Sequence, residues 1–174
     1  GLNMEKKELE LYIHIPFCVR KCNYCDFLSF PADEDTQRQY VKALCKEIFY
    51  YGAHCRDYVV STVYIGGGTP SWLWESDMAE IMDAVHKNFA LLPDAEVSVE
   101  CNPGTVTAQK FAVYRQSGIN RISLGLQSAQ NVELKMLGRI HTWEQFLKTY
   151  ELARSGGFSN INVDLMSSLP GQHI

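Results

Sequence analysis

The stretch Ile13-His14-Ile15-Pro16-Phe17-Cys18-Val19-Arg20-Lys21-Cys22-Asn23-Tyr24-Cys25-Asp26-Phe27 decides how this chain is read. A short apolar run leads into three cysteines spaced C-x3-C-x2-C, on what should be one compact loop. Thiolates are soft ligands that select zinc, copper(I) or iron–sulfur clusters. Structural zinc wants four ligands, usually from two separated pairs, and the chain has no second Cys or His pair at such a spacing. Three thiolates from one loop suit a [4Fe–4S] cluster whose fourth iron stays open to another ligand. The plainer alternatives are a disulfide staple or buried core cysteines.

The rest of the composition narrows the class. At 174 residues the chain is one domain's worth of sequence, long enough for a sizeable core. Its formal charge of −4 gives no basic footprint for nucleic acid. No apolar run approaches membrane-spanning length, and Gly1 to Glu10 are polar and charged rather than signal-like. The expectation is therefore a cytoplasmic protein, in a compartment where cysteines bind metals or do chemistry more often than they form disulfides. Cys45, Cys55 and Cys101 are scattered, and Cys45, beside Leu44 and Ile48 on a helical face, reads as a small core hydrophobe.

Periodicity supplies the elements. Leu9–Ile15 alternates as a strand; Asp33 to Asp35 can cap a helix through about Tyr51; Val59–Ile65 is a second strand. A helix from about Glu75 to Phe89 precedes a strand at Glu96–Glu100, and Thr107 opens a helix that Gly118 closes. Arg121–Leu126 is a fourth strand. Helical segments near Asn131–Leu137 and Thr142–Ser155 follow, then a fifth strand at Asn160–Leu165. Strand and helix alternating at this rhythm predict βαβ units and a parallel α/β sheet, open or closed into a barrel.

In parallel sheets ligands gather at the carboxyl ends of the strands. Here those ends carry the cysteines, then Gly66-Gly67-Gly68-Thr69-Pro70, then Glu100, then Gln127, then Asp164. Five strand ends with polar or glycine-rich chemistry define one site. The glycines let backbone approach a ligand closely, although a triple glycine alone is more often a tight turn. The run lacks the Lys-Ser/Thr ending of a phosphate loop. Glu100 alone would read as a solvated strand end.

The cysteine spacing, with Tyr24 before the third cysteine, resembles the radical S-adenosylmethionine (SAM) superfamily. The wider string Y-x-H-I-P-F-C-x3-C-x-Y-C resembles one branch of it, the oxygen-independent coproporphyrinogen III dehydrogenases and the HemW-like heme chaperones. The resemblance implies that Cys18, Cys22 and Cys25 hold a [4Fe–4S] cluster whose open iron chelates the amino and carboxylate groups of SAM. It gives Gly67, Gly68 and Thr69 the methionine amino group, and it pairs Glu100, in an E-x-N-P pattern, with the ammonium. Gln127, in S-L-G-x-Q, and Asp164 take the ribose hydroxyls, and Arg139, in L-x-R, takes the carboxylate. Tyr12 and Tyr24 line the methionine and adenine ends, while His14 and His141 are left outside the site. The mechanism so implied is one-electron cleavage of the SAM sulfonium to methionine and a 5′-deoxyadenosyl radical, which abstracts a hydrogen atom from a substrate.

The resemblance also implies an architecture: a partial (β/α) barrel of radical SAM type, here truncated after about five strands. Residues 1–174 would be one incomplete core domain, the end of the barrel and a C-terminal domain lying beyond it. Two departures favour the chaperone branch. Phe27 stands where the dehydrogenases carry a further cysteine, and eleven residues precede Tyr12, where those enzymes have a longer segment. A third departure, Ser167-Ser168 before Leu169-Pro170, replaces an aromatic-glycine pair and touches the last loop only. The implied partners are SAM, heme or coproporphyrinogen III, a flavodoxin- or ferredoxin-like electron donor and a heme-acceptor protein, with no nucleic acid and no membrane span. The alternatives are a coproporphyrinogen III oxidase (dehydrogenase) of porphyrin biosynthesis, and a metal-cluster domain without SAM chemistry.

Overall fold

Five strands alternate with four helices in the computed structural model, which describes residues 6–17, 33–127 and 132–166. They run β1 (Lys7–Ile15), α1 (Glu34–His54), β2 (Tyr58–Gly67), α2 (Glu75–Asn88), β3 (Leu91–Cys101), α3 (Ala108–Gln116), β4 (Arg121–Gln127), α4 (Val132–Ser155) and β5 (Asn160–Met166). A single 3-10 turn, Pro70–Trp72, joins β2 to α2.

All neighbouring strands pair in parallel, in the order β1-β2-β3-β4-β5. An order that never doubles back has no switch point, so successive crossovers step the same way and the helices gather on one face. Strand order thereby resolves what periodicity left open: this is the wall of a partial barrel, not a doubly wound sheet. Among the described residues β1 and β5 form its two edges.

Alternation assigns the two faces. Ile13, Ile15, Val63, Ile65, Val97, Val99, Ile122 and Leu124 are buried in one core cluster with Val41 and Ile48 of α1, Met78, Ile81, Met82 and Val85 of α2, and Phe111 and Tyr114 of α3. Each such side chain contributes about 1.5–3 kcal/mol on burial, which makes this face the main source of stability. The other face is polar. Its registers align Tyr12, Tyr64, Ser98, Arg121 and Asn160 in one row. The next row carries His14 opposite Gly66, and Glu100, Ser123 and Asn162 in line. Arg121 bridges to Glu96 at 3.1 Å, and the Asn162 amide donates to Ser123 Oγ at 3.3 Å.

Helix α1 starts where Asp33 accepts the Thr36 N–H at 2.8 Å, a cap that also holds the Asp33 carboxyl below the usual carboxylate range. Arg38 ties α1 to α2 through Asp77 and through Glu80 at 2.7 Å. Cys45 packs partly buried against the core, as its helical position predicts.

Beyond shifts of one or two residues at other element ends, three boundaries differ from the sequence reading. Helix α1 runs on to His54. Strand β3 begins at Leu91 rather than Glu96, because the Val60 N–H reaches the Ala90 carbonyl at 2.7 Å and draws the chain into the ladder early. The pairing then slips. Val60 faces Leu91 but Thr62 faces Glu96, so Leu92–Ala95 bulge out around Pro93, which has no N–H to give. Ser61 is skipped in the β1 pairing too, where Leu9 faces Val60 and Glu10 faces Thr62. Finally, the two helical segments expected after β4 form one helix, α4; the cost of about 1 kcal/mol for Gly138 relative to Ala does not break it.

Candidate functional site

The carboxyl ends of β1, β2 and β3 meet at one corner. Gly67, with φ +117°, sits in the left-handed region that a glycine enters at no steric cost. Past it the backbone goes on pairing with the chain that leaves β1: Gly68 donates to the Ile15 carbonyl at 2.7 Å and Thr69 to that of Phe17 at 2.6 Å. Phe17, fully buried and packed edge-on against Tyr40 at 5.2 Å, is the residue before Cys18. The glycine loop therefore anchors the entrance of the cysteine stretch.

Glu100 reaches into the same corner, where its Oε1 accepts the Gly67 N–H at 3.1 Å. The glycines make this approach possible. A Cβ at position 66 would stand 2.0 Å from Glu100 Oε1; one at 67, 2.7 Å from both His14 Nδ1 and the Ile15 carbonyl; one at 68, 2.4 Å from the Phe17 carbonyl. Expected to admit a ligand, these glycines first of all admit their own neighbours.

Tyr12 lies on the polar face, 59% exposed, its ring stacked on Tyr64 at 6.1 Å and its hydroxyl 3.4 Å from His14 Nδ1. Partial burial, then the Glu100 carboxylate, then Tyr64 push the Tyr12 phenol up, so it stays protonated near neutrality. Thr69 is buried behind the loop. Five of the residues picked from sequence (Tyr12, Gly67, Gly68, Thr69 and Glu100) are thus brought together. Gln127 closes β4, Asp164 pairs with Gly125 two residues before the end of β5, and Arg139 falls in α4; their side chains are outside the described residues. Cys18, Cys22, Tyr24 and Cys25 also lie outside the described residues.

Two residues passed over in the sequence line this corner as well. His14 shares the face of Tyr12; its Nε2 is buried without a hydrogen-bond partner among the described residues, and the Tyr40 hydroxyl holds its carbonyl at 2.5 Å. Tyr64 stands two residues before Gly66. The signal for both was parity along the strand: residues two apart share a face.

A SAM ammonium suits this arrangement. A carboxylate is acceptor-only, with about four lone-pair sites, and can serve the Gly67 N–H and an ammonium together. No described helix is long and apolar enough to cross a membrane.

The radical SAM superfamily model matches residues 12–174. The heme chaperone HemW of Escherichia coli K12 is 42% identical over 167 residues, and that of Bacillus subtilis 168 is 37% identical over 164. These alignments cover 95% and 92% of this chain but 44% and 43% of the relatives, so the chain spans less than half their length. Among solved structures, the coproporphyrinogen III oxidase HemN of Escherichia coli superposes with a TM-score of 0.80 at 31% identity, covering 97% of this chain and 39% of that one. The protein anSMEcpe with bound AdoMet, at 15% identity and a TM-score of 0.55, shares the fold. Strand order and the match from Tyr12 to the last residue lead to one conclusion: the chain belongs to the radical SAM superfamily.

Proposed function

We propose that this protein is a HemW-like heme chaperone that binds a [4Fe–4S] cluster and SAM, with residues 1–174 forming a radical SAM core domain. The observation that carries the cofactor reading is the hydrogen bond from the Gly67 N–H to Glu100 Oε1, set beside the backbone that leads into Cys18. Glu100 takes the SAM ammonium, and the backbone of Gly67, Gly68 and Thr69 closes over the methionine end. Tyr12 and Tyr24 flank the bound molecule, Arg139 meets its carboxylate with a planar guanidinium, and Gln127 and Asp164 take the ribose hydroxyls. Cys18, Cys22 and Cys25 are the cluster ligands. When bound, the reduced cluster supplies the electron that cleaves the SAM sulfonium. The protein's share is orientation, exclusion of water and the setting of the cluster potential.

The similarity to the HemW proteins supports the heme reading, as does Phe27 in place of a fourth nearby cysteine. Heme is then held and passed to an acceptor protein, with a flavodoxin- or ferredoxin-like donor reducing the cluster. A second reading, coproporphyrinogen III oxidase, is favoured by the fit to HemN. Heme titration followed by its visible absorption, beside an assay for conversion of coproporphyrinogen III, separates the two. Heme bound unaltered with no turnover supports the chaperone; turnover without stable heme binding supports the oxidase.

A further inference from the structure

The loops that follow β2 and β3 are joined by a brace beneath the Gly67–Glu100 corner. Ser71, fully buried in the 3-10 turn after β2, accepts the Asn102 N–H at 3.0 Å and contacts the Thr105 hydroxyl. Thr105 in turn donates to the Asn102 carbonyl at 2.8 Å. That donation spends the only hydroxyl proton of Thr105, so Ser71 must donate to Thr105. The ring is closed and has one direction: Asn102 N–H to Ser71, Ser71 to Thr105, and Thr105 back to the carbonyl of Asn102. Lys110, in the first turn of α3, locks it from below. Its Nζ donates to the Ser71 carbonyl at 2.6 Å and the Thr105 carbonyl at 3.0 Å, one from each loop. This ammonium is buried and makes no ion pair with a described residue; burial holds it below the usual lysine range. Retaining a charge there has a cost, which the hydrogen bonds to two backbone carbonyls offset in part.

The chain distances tell what is positioned. Asn102 lies two residues past Glu100, and Ser71 four past Gly67. The ring therefore ties together the two loops that carry the partners of the Gly67–Glu100 contact, through bonds that involve neither of those residues.

We infer that Ser71, Thr105 and Lys110 are positioning residues that set the Glu100 carboxylate against the Gly67–Thr69 backbone, and so tune affinity for the amino end of SAM. The inference rests on the reading of that corner as the SAM amino site.

A double-mutant cycle on cluster-reconstituted protein tests it, with SAM affinity, iron content and melting midpoint as readouts. Ser71→Ala is expected to weaken SAM about ten-fold with full iron content, yet less than about two-fold when Glu100 is already Gln, because residues acting through one another are not additive. Lys110→Met follows the same pattern, and Lys110→Arg, which can still donate to both carbonyls, recovers most of the affinity. If Ser71→Ala does not fold, the Lys110 pair carries the test. Equal losses in both backgrounds, or no loss beside the native Glu100, overturn the inference while leaving the site reading standing, provided that Glu100→Gln itself weakens SAM. If Glu100→Gln binds SAM normally, the site reading fails first and the inference with it.

Discussion

Gly66→Ala isolates the Glu100 carboxylate without altering it. The new Cβ would lie 2.0 Å from Glu100 Oε1, and a carbon and an oxygen in contact need about 3.3 Å. The carboxylate must therefore retreat by roughly 1.3 Å, which a hydrogen bond of 3.1 Å to the Gly67 N–H does not survive. A hydrogen bond to a charged group is worth about 1.5–3 kcal/mol, and an ammonium docked on the displaced carboxylate loses a contact of that size. At 1.4 kcal/mol per factor of ten, SAM affinity should fall roughly 10- to 100-fold. Stability should suffer much less, because the obstructing atoms are the free end of Glu100 and, at 2.9 Å, the edge of the Tyr64 ring, both side-chain ends that can turn aside. A cost of about 1 kcal/mol moves the midpoint of a chain this size by about 2–4 °C. Gly68→Ala is the control of opposite character: its Cβ would meet the Phe17 carbonyl at 2.4 Å, and backbone cannot turn aside. Overpacking there costs about 1–3 kcal/mol and pushes on the residue before Cys18, so cluster loading should drop. The assay is SAM titration of the reduced, anaerobically reconstituted protein, read by the electron paramagnetic resonance of the cluster, beside iron analysis and thermal melting. Native SAM affinity in a fully loaded Gly66→Ala protein would refute the role given to Glu100.

Cys22→Ala should abolish cluster loading while the protein stays folded, and unchanged iron content would remove Cys22 from the ligands. Arg139→Ala should weaken SAM at least about ten-fold, since bidentate charge-assisted contacts are among the stronger polar interactions; an unaltered isotherm excludes it from the site. Asp77→Ala removes a buried partner of Arg38, and with Glu80 still in place the loss should be about 1–3 kcal/mol in denaturant melts, whereas none at all would mean the α1–α2 bridge is idle. Asp33 carries a pH signature. Its folded-state carboxyl titrates below the usual range, so its stabilisation is full above the ordinary carboxylate pKa and is lost as pH falls through the depressed one. Asp33→Asn keeps the cap without the charge, so its melting midpoint should approach or pass that of the native protein in strong acid. Parallel curves would refute the assignment.

Much of this was legible beforehand, and the rest was hidden for identifiable reasons. Strands β1, β2, β4 and β5 showed their apolar alternation, and the chemistry at their ends could be read from the residues that follow each run. Whether the sheet closes could not be read, because Ile13, Val63, Val97 and Ile122 alternate alike in either architecture; strand order carries that information. The early start of β3 was masked by Pro93, which argues against a ladder locally but sits harmlessly in a bulge. The glycine run was noticed for what it offers a ligand, yet three of its contacts are with His14, Phe17 and Glu100, up to 53 residues away in sequence, counting from His14 to Gly67. Ser71 and Lys110 gave no signal at all. A serine after a proline and a lysine in a helix are ordinary locally, and their roles exist only across two loops that the fold brings together.

Ser61 has a consequence far from its place at the foot of β2. Pairing of side chains in a sheet has a period of two, so the single skipped residue reverses the phase of everything beyond it. Were Ser61 paired with Glu10 instead of skipped, Tyr64 and Gly66 would turn toward the helices, and Val63 and Ile65 toward the interior where Glu100 lies. The odd count of extra residues in β3 at the same level keeps that strand in step. The foot of the barrel thus works as a phase adjuster: residues can be added or removed there provided the parity is restored before the strands reach their chemical ends.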